Sequence, residues 1–239
     1  MPYMMGGFPD ADASVRVARA YAEGGADLVE IGVPFSDPLA DGPVIHAAAT
    51  RALDTGATLG SALAAVAELG DGIPAVVMCY ANMVLALGPR RFAGRLAGAG
   101  AAGAIVPDLP LEEAGELRES LSAEGVALVP LVAPTTPPER RRRICATAQG
   151  FVYVVSDVGV TGERAELPKS LAELVRFVQA EAPVPAAVGF GIGNAEQAAK
   201  VGEVADGVIV GSRLVRMAEE DPGTIPSFLE EMRAALARG

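Results

Sequence analysis

The sequence predicts a (β/α)8 barrel on three observations: a length of 239 residues, eight short apolar runs, and longer amphipathic segments between them. A barrel of this class takes about 250 residues, so the length suits one domain over 1–239 better than two ordinary ones. Hydrophobic residues make up 51% of the chain and charged residues 21%, which is ample material for one large core. An open sheet with helices on both faces shares the alternation, but eight units in this length favour closure.

The runs read as strands buried on both faces, the signature of parallel sheet. Strand 3–5 (YMM) is followed by helix 12–23, and strand 28–31 (LVEI) by helix 43–53. Strand 75–80 (AVVMCY) precedes helix 90–99, strand 104–106 (AIV) precedes helix 111–123, and strand 127–132 (ALVPLV) precedes helix 138–147. The last three pairs are 151–155 (FVYVV) with 171–182, 185–188 (PAAV) with 195–201, and 207–210 (GVIV) with 225–237. Glycines and prolines punctuate these elements instead of clustering into a linker. Gly98, Gly100 and Gly103 spell GxGxxG, but between a helix and a strand, the reverse of the dinucleotide-binding order. They read as a tight turn.

Composition removes several classes of function. A formal net charge of −11 repels phosphodiester backbones and anionic lipid, so any anionic ligand has to be held by local chemistry. Cys79 and Cys145, the only cysteines, are too far apart for a zinc cluster or disulfide framework, which suggests a reducing cytosol. No run reaches the roughly 18 apolar residues of a membrane span, and the start lacks the order of a signal peptide. His46 is the sole histidine, which removes HExxH zinc chemistry, leaves no metal site to expect, and turns catalysis toward carboxylates. His46 itself reads as a packing or surface residue. Arg140, Arg141, Arg142 and Arg143 are consecutive on a helix, so they spread around its axis and form a solvated face.

Two signals remain. The loops after the sixth, seventh and eighth strands carry GVTG (159–162), GFGIG (189–193) and Gly211 with Ser212. Glycine permits close backbone approach, and free N–H groups at a helix start attract phosphate without net cationic residues. The second signal is Glu30, near the end of an apolar strand where an uncommitted carboxylate is costly. Asp41 follows on the loop at the same rim, beside Asp37. A salt bridge for Glu30, and an Asx-turn or helix cap for either aspartate, are the purely structural alternatives.

Residues 30–43, EIGVPFSDPLADGP, closely resemble the signature of the tryptophan synthase α subunit family. The resemblance continues through MCYAN (78–82), VPDLPLEE (106–113), VAPTTP (132–137), GVTG, GFGI and VGS (210–212), nearly the whole chain. It implies a (β/α)8-barrel lyase that cleaves indole-3-glycerol phosphate to indole and glyceraldehyde 3-phosphate. By motif, the catalytic glutamate falls on Glu30 and the catalytic aspartate on Asp41, with Tyr153 beside the glutamate and Thr161 closing onto the aspartate. Gly162, Gly191, Gly211 and Ser212 fall where that family holds the phosphate, and Tyr3, Ile45, Tyr80, Leu131 and Phe190 where it walls the indole pocket. The resemblance further implies no cofactor on this chain, and a pyridoxal-phosphate-dependent β subunit as partner, docking around Asp37 and Pro38. A stand-alone lyase and a non-catalytic activator of a β subunit are the alternatives. Two features depart from the family pattern. That family usually has an extra helix over the bottom of the barrel, whereas Met1 stands just before the first strand, so either another segment plugs the bottom or the chain is shortened. Asp157 and Val158, before GVTG, replace a different expected pairing.

Overall fold

The computed structural model describes residues 1–155, 168–189 and 191–237. Strands alternate with helices throughout. They are β1 (Tyr3–Met5), β2 (Val29–Gly32), β3 (Ala75–Met78), β4 (Gly103–Ile105), β5 (Ala127–Val129), β6 (Leu131–Val132), β7 (Val152–Val155), β8 (Ala186–Gly189) and β9 (Gly207–Ile209). Every pairing is parallel and between consecutive strands, in runs β1 to β5 and β6 to β9.

Two joints turn these runs into one closed ring. The first is Pro130, which has no N–H to give and so interrupts the expected strand 127–132. Its carbonyl still accepts from the Tyr153 amide at 2.9 Å, so β5 and β6 are two halves of one path. The second is a parallel bridge between Pro2 and Val210, flanked by Tyr3 N–H to Val210 O at 2.8 Å and Val210 N–H to Met1 O at 3.0 Å. Eight strand paths therefore close as a (β/α)8 barrel.

The helices are α1 (Ala11–Glu23), α2 (Pro43–Asp54), α3 (Leu59–Leu69), α4 (Ala81–Leu87), α5 (Pro89–Gly98), α6 (Gly115–Ala123), α7 (Pro138–Ala146), α8 (Lys169–Glu181), α9 (Ala195–Gly202), α10 (Ser212–Glu220) and α11 (Ile225–Leu236). Asp10 caps α1 through the Ala13 amide at 2.8 Å, and Asn194 caps α9 through Gln197 at 2.9 Å. Sequence reading missed α3 and α4, and of α10 it anticipated only a helical start after Gly211. In α3 a capping box of Thr58 and Ser61 starts an alanine-rich segment with a weak polar face. The start of α4 is hidden because Tyr80, expected to end a strand, serves as its N-cap. The expected helix 111–123 begins only at Gly115, because residues 111–114 form turns. The GxGxxG glycines lie where the reading put them, with Gly98 ending α5, Gly100 at φ +85° and Gly103 opening β4.

Strand alternation divides the core in two. Ile31, Val77, Leu128, Val154 and Val188 face outward into the layer shared with the helices. Val76, Ile105, Val129, Phe151, Ala187 and Ile209 fill the barrel interior, with Met1 and Leu28 packed against them at the N-terminal end. Each fully buried aliphatic side chain contributes about 1.5–3 kcal/mol. Glu30 pairs in register with Tyr3 and Val76, so its side chain enters the interior. Among the described residues no helix is long and apolar enough to cross a membrane.

Candidate active site

Glu30, the second residue of β2, is 1% exposed, and its Oε2 is buried with no hydrogen-bond partner. Burial, with a smaller contribution from the charge of Asp41, pushes its carboxyl up to about 8. The β2 backbone places it there by the pleat that sends Ile31 outward, and Gly32 follows because nothing larger fits. A Cβ on Gly32 would lie 2.2 Å from the Tyr3 hydroxyl. Gly189 plays the same part for Tyr153, whose hydroxyl would be 2.7 Å from a Cβ there. Two glycines at strand ends thus make room for two tyrosines facing the carboxylates. Sequence reading overlooked this role. Its only signal was a glycine closing an apolar run.

Asp41 sits on the loop between β2 and α2, half-buried. Its Oδ1 accepts from the Tyr80 hydroxyl at 3.0 Å, and that hydroxyl accepts from the Ala40 amide at 3.1 Å. The Tyr80 ring stacks on Phe35 at 5.2 Å. Burial raises the Asp41 carboxyl, opposed by the Tyr80 bond and the charge of His46. Tyr80, expected as an apolar wall, is therefore also the anchor of the aspartate loop. Behind it, Asp108 accepts from the Ala81 amide at 2.8 Å and supplies the start of α4 with the cap that Tyr80 lacks. Asp108 was not anticipated, since the bond spans two barrel units.

Tyr3 and Tyr153 are held far above the ordinary phenol range, first by burial and then by the charges of Glu30 and Asp41. Leu131 is the register partner of Tyr153. Gly211 is the N-cap of α10 with no side-chain cap, so the first amides of that helix, Ser212 included, have no side-chain partner there. A Cβ on Gly211 would meet Ile45 at 3.6 Å and Tyr3 at 3.8 Å, so the helix start borders the tyrosine end of the site. Gly191 is exposed at φ +66°. Thr161, Gly162 and Phe190, with Asp157 and Val158, lie outside the described residues.

The residues set aside in the sequence remain outside the site. His46 is exposed on α2. Arg140 and Arg143 pair with Glu112 and Arg142 with Glu181, while Arg141 donates to Pro134 O at 2.6 Å. Four arginines thus reach three different partners.

A closed parallel barrel with titratable side chains gathered at the C-terminal mouth of its strands defines a (β/α)8-barrel enzyme. A sequence profile described as "Tryptophan synthase alpha chain" matches residues 1–237. The chain is 48% identical to the tryptophan synthase alpha chain of Geobacillus kaustophilus, over 92% of this chain and 83% of the relative. It is 43% identical to that of Chloroflexus aurantiacus, over 100% of this chain and 92% of the relative. Among solved structures, tryptophan synthase from Mycobacterium tuberculosis superposes with a TM-score of 0.94 at 40% identity, covering 100% of this chain and 92% of the other. The tryptophan synthase a2b2 complex of Pyrococcus furiosus gives 0.89 at 37%, covering 98% and 96%. The chain belongs to the tryptophan synthase alpha chain family, with a lyase role in tryptophan biosynthesis.

Proposed function

We propose that the chain cleaves indole-3-glycerol phosphate by a retro-aldol reaction, with Glu30 as the acid and base. The observation that carries this reading is Glu30 itself, a carboxyl inside the barrel with one oxygen unpartnered and its proton held to about pH 8. A group kept neutral near pH 7 starts the cycle as an acid. It gives its proton to indole C3, which places positive charge on the ring nitrogen. The resulting carboxylate takes the proton of the side-chain hydroxyl next to the ring. That oxygen forms the aldehyde, the carbon–carbon bond breaks, and its electron pair returns to the ring as indole. Glu30 ends protonated, so no net proton is consumed.

Asp41 faces the developing charge on the ring nitrogen, held in position by Tyr80. Tyr153 packs beside Glu30, while Tyr3, Ile45, Leu131 and Phe190 complete the indole pocket. Gly162, Gly191, Gly211 and Ser212 would hold the phosphate end, for which the uncapped start of α10 supplies donors, and Thr161 would close onto Asp41 over the bound substrate. Glu30→Gln keeps the shape but cannot cycle a proton, so turnover in an indole-release assay falls at least about 10²-fold with the fold intact. Near wild-type turnover in that variant refutes the assignment.

The partner in this reading is a tryptophan synthase β subunit, and the related Pyrococcus structure is described as an a2b2 complex. The supporting surface is the rim beside Asp41, where Leu39 is 83% exposed on the same loop and Leu85 on α4 is 69% exposed. Asp37 is exposed there and Pro38 half-exposed. Docking that orders this loop raises turnover roughly 5- to 150-fold, the span of typical coupling energies. Titrating a β subunit into the assay tests this, with Asp37→Ala and Leu39→Asp weakening the response. Full activity alone, with no complex at micromolar concentration, favours a stand-alone lyase.

A further inference from the structure

We infer that the cleft between α6 and α7 is a second binding site of this chain, taking a small monocarboxylate on an apolar body with Arg118 as its anchor. The cleft exists because these neighbouring helices pack on the sheet but scarcely on each other. Its cause is local, since the turn at residues 111–114 delays the start of α6 and leaves the space above Leu128 unfilled. Glu112 on that turn pairs with Arg140 at 2.8 Å and Arg143 at 3.4 Å, clipping the turn to α7 across the opening. Beneath lies a cavity of about 300 Å³, at the small end of ligand-binding pockets.

Its walls mix apolar side chains, chiefly Leu109, Leu111, Leu128 and Ile144, with the polar groups of Asp108, Thr136, Arg140 and Arg118. The Nε of Arg118 is buried without a hydrogen-bond partner, and among the described residues no ion pair engages its guanidinium. The other arginine of the lining, Arg140, already gives two bonds to Glu112, at 3.0 and 2.8 Å. Burial takes water from that N–H and puts no acceptor in its place, a penalty that an entering acceptor offsets. The planar guanidinium fork matches a carboxylate in two parallel bonds. Asp108 also lines the cavity, with Oδ1 occupied by the Ala81 amide. A second negative group nearby disfavours a phosphate dianion and selects a singly charged ligand.

The site shares one wall residue, Leu131, with the candidate active site and holds neither Glu30 nor Asp41. Leu131 lines the cavity and is the register partner of Tyr153, and Asp108 holds α4 behind Tyr80. The inference does not depend on the reaction proposed above, since it rests on an unpaired cation and a cavity that opens between two helices.

Hexanoate and its neutral isostere hexanamide serve as probes, titrated into the full chain by calorimetry and by amide chemical shifts. Hexanoate is expected to saturate one site at least tenfold more tightly than hexanamide, with shifts centred on residues 108–118 and 140–144. Arg118→Gln should weaken hexanoate at least tenfold and Arg118→Lys less, with indole release in the absence of hexanoate unchanged in both. Equal affinity for the two probes, binding untouched by Arg118→Gln, or shifts centred on Glu30 and Asp41 overturns the inference. If Arg118→Gln fails to fold, the contrast between the two probes with the shift map decides the matter.

Discussion

Asp41 illustrates how little of a residue's chemistry resides in the residue. Its carboxyl sits on a loop with exposed neighbours, and what makes it a fixed charge is the Tyr80 hydroxyl at 3.0 Å. Removing that hydroxyl in Tyr80→Phe leaves the Ala40 amide without its acceptor and frees the loop. A hydrogen bond to a charged group contributes about 1.5–3 kcal/mol, so turnover should fall roughly tenfold or more with little change in melting temperature. Asp41→Asn should cost more, because the neutral amide cannot balance charge on the ring nitrogen. Steady-state indole release on both variants checks the order. Unchanged turnover in Tyr80→Phe would mean that the bond matters only to the resting loop. Glu30 was legible in the sequence, because a carboxylate in an apolar strand asks for an explanation. Tyr80 was legible only as an aromatic near the site, since its bond joins residues 39 positions apart.

At the scale of elements, strand ends and helix starts place the groups. The ends of β2 and β8 must be glycine, because Tyr3 and Tyr153 lie across them. Gly189→Ala puts a methyl 2.7 Å from the Tyr153 hydroxyl, closer than any real contact, so either the ring or the strand moves. Such overpacking costs about 1–3 kcal/mol. Tyr153→Phe in the same chain removes the nearest atom, so the double variant should recover part of the lost stability. A denaturation cycle over the four proteins measures this coupling, and strictly additive effects would show that the close approach carries no energy. The strands were read well because short apolar runs between breakers have few alternative conformations. Of the helices missed, α3 and α4 are segments whose polar faces are too weak to stand out before the barrel wall lies beside them.

At the scale of the molecule, the buried carboxyl exchanges stability for chemistry. Glu30 keeps its proton to about pH 8 in the fold and releases it near about pH 4.3 when unfolded. Between these values the folded state binds more protons, so stability falls as pH rises through the window, and the loss is complete above pH 8. Glu30→Gln has no such titration. Its stability advantage over wild type should grow from about pH 5 to about pH 9 by a few kcal/mol, read from urea unfolding at both ends. Parallel stability curves would mean that Glu30 is hydrated in the resting protein.

The sequence by itself determined the barrel, the order of its units, the family, and the two carboxylates that head the candidate site. It could do so because burial imposes period and composition on contiguous residues, and because a costly residue type in an apolar strand is visible where it stands. Only the tertiary structure decided where the ring closes, through Pro2 with Val210 and the carbonyl of Pro130. It also decided that Tyr80 and Asp108 brace the aspartate loop, that Gly32 and Gly189 seat two tyrosines, and that Arg118 meets a cavity without a partner. Each of these depends on atoms from different barrel units meeting within a few ångströms. A linear pattern carries no such distance, because the closing of the sheet, and not the neighbouring residues, sets it.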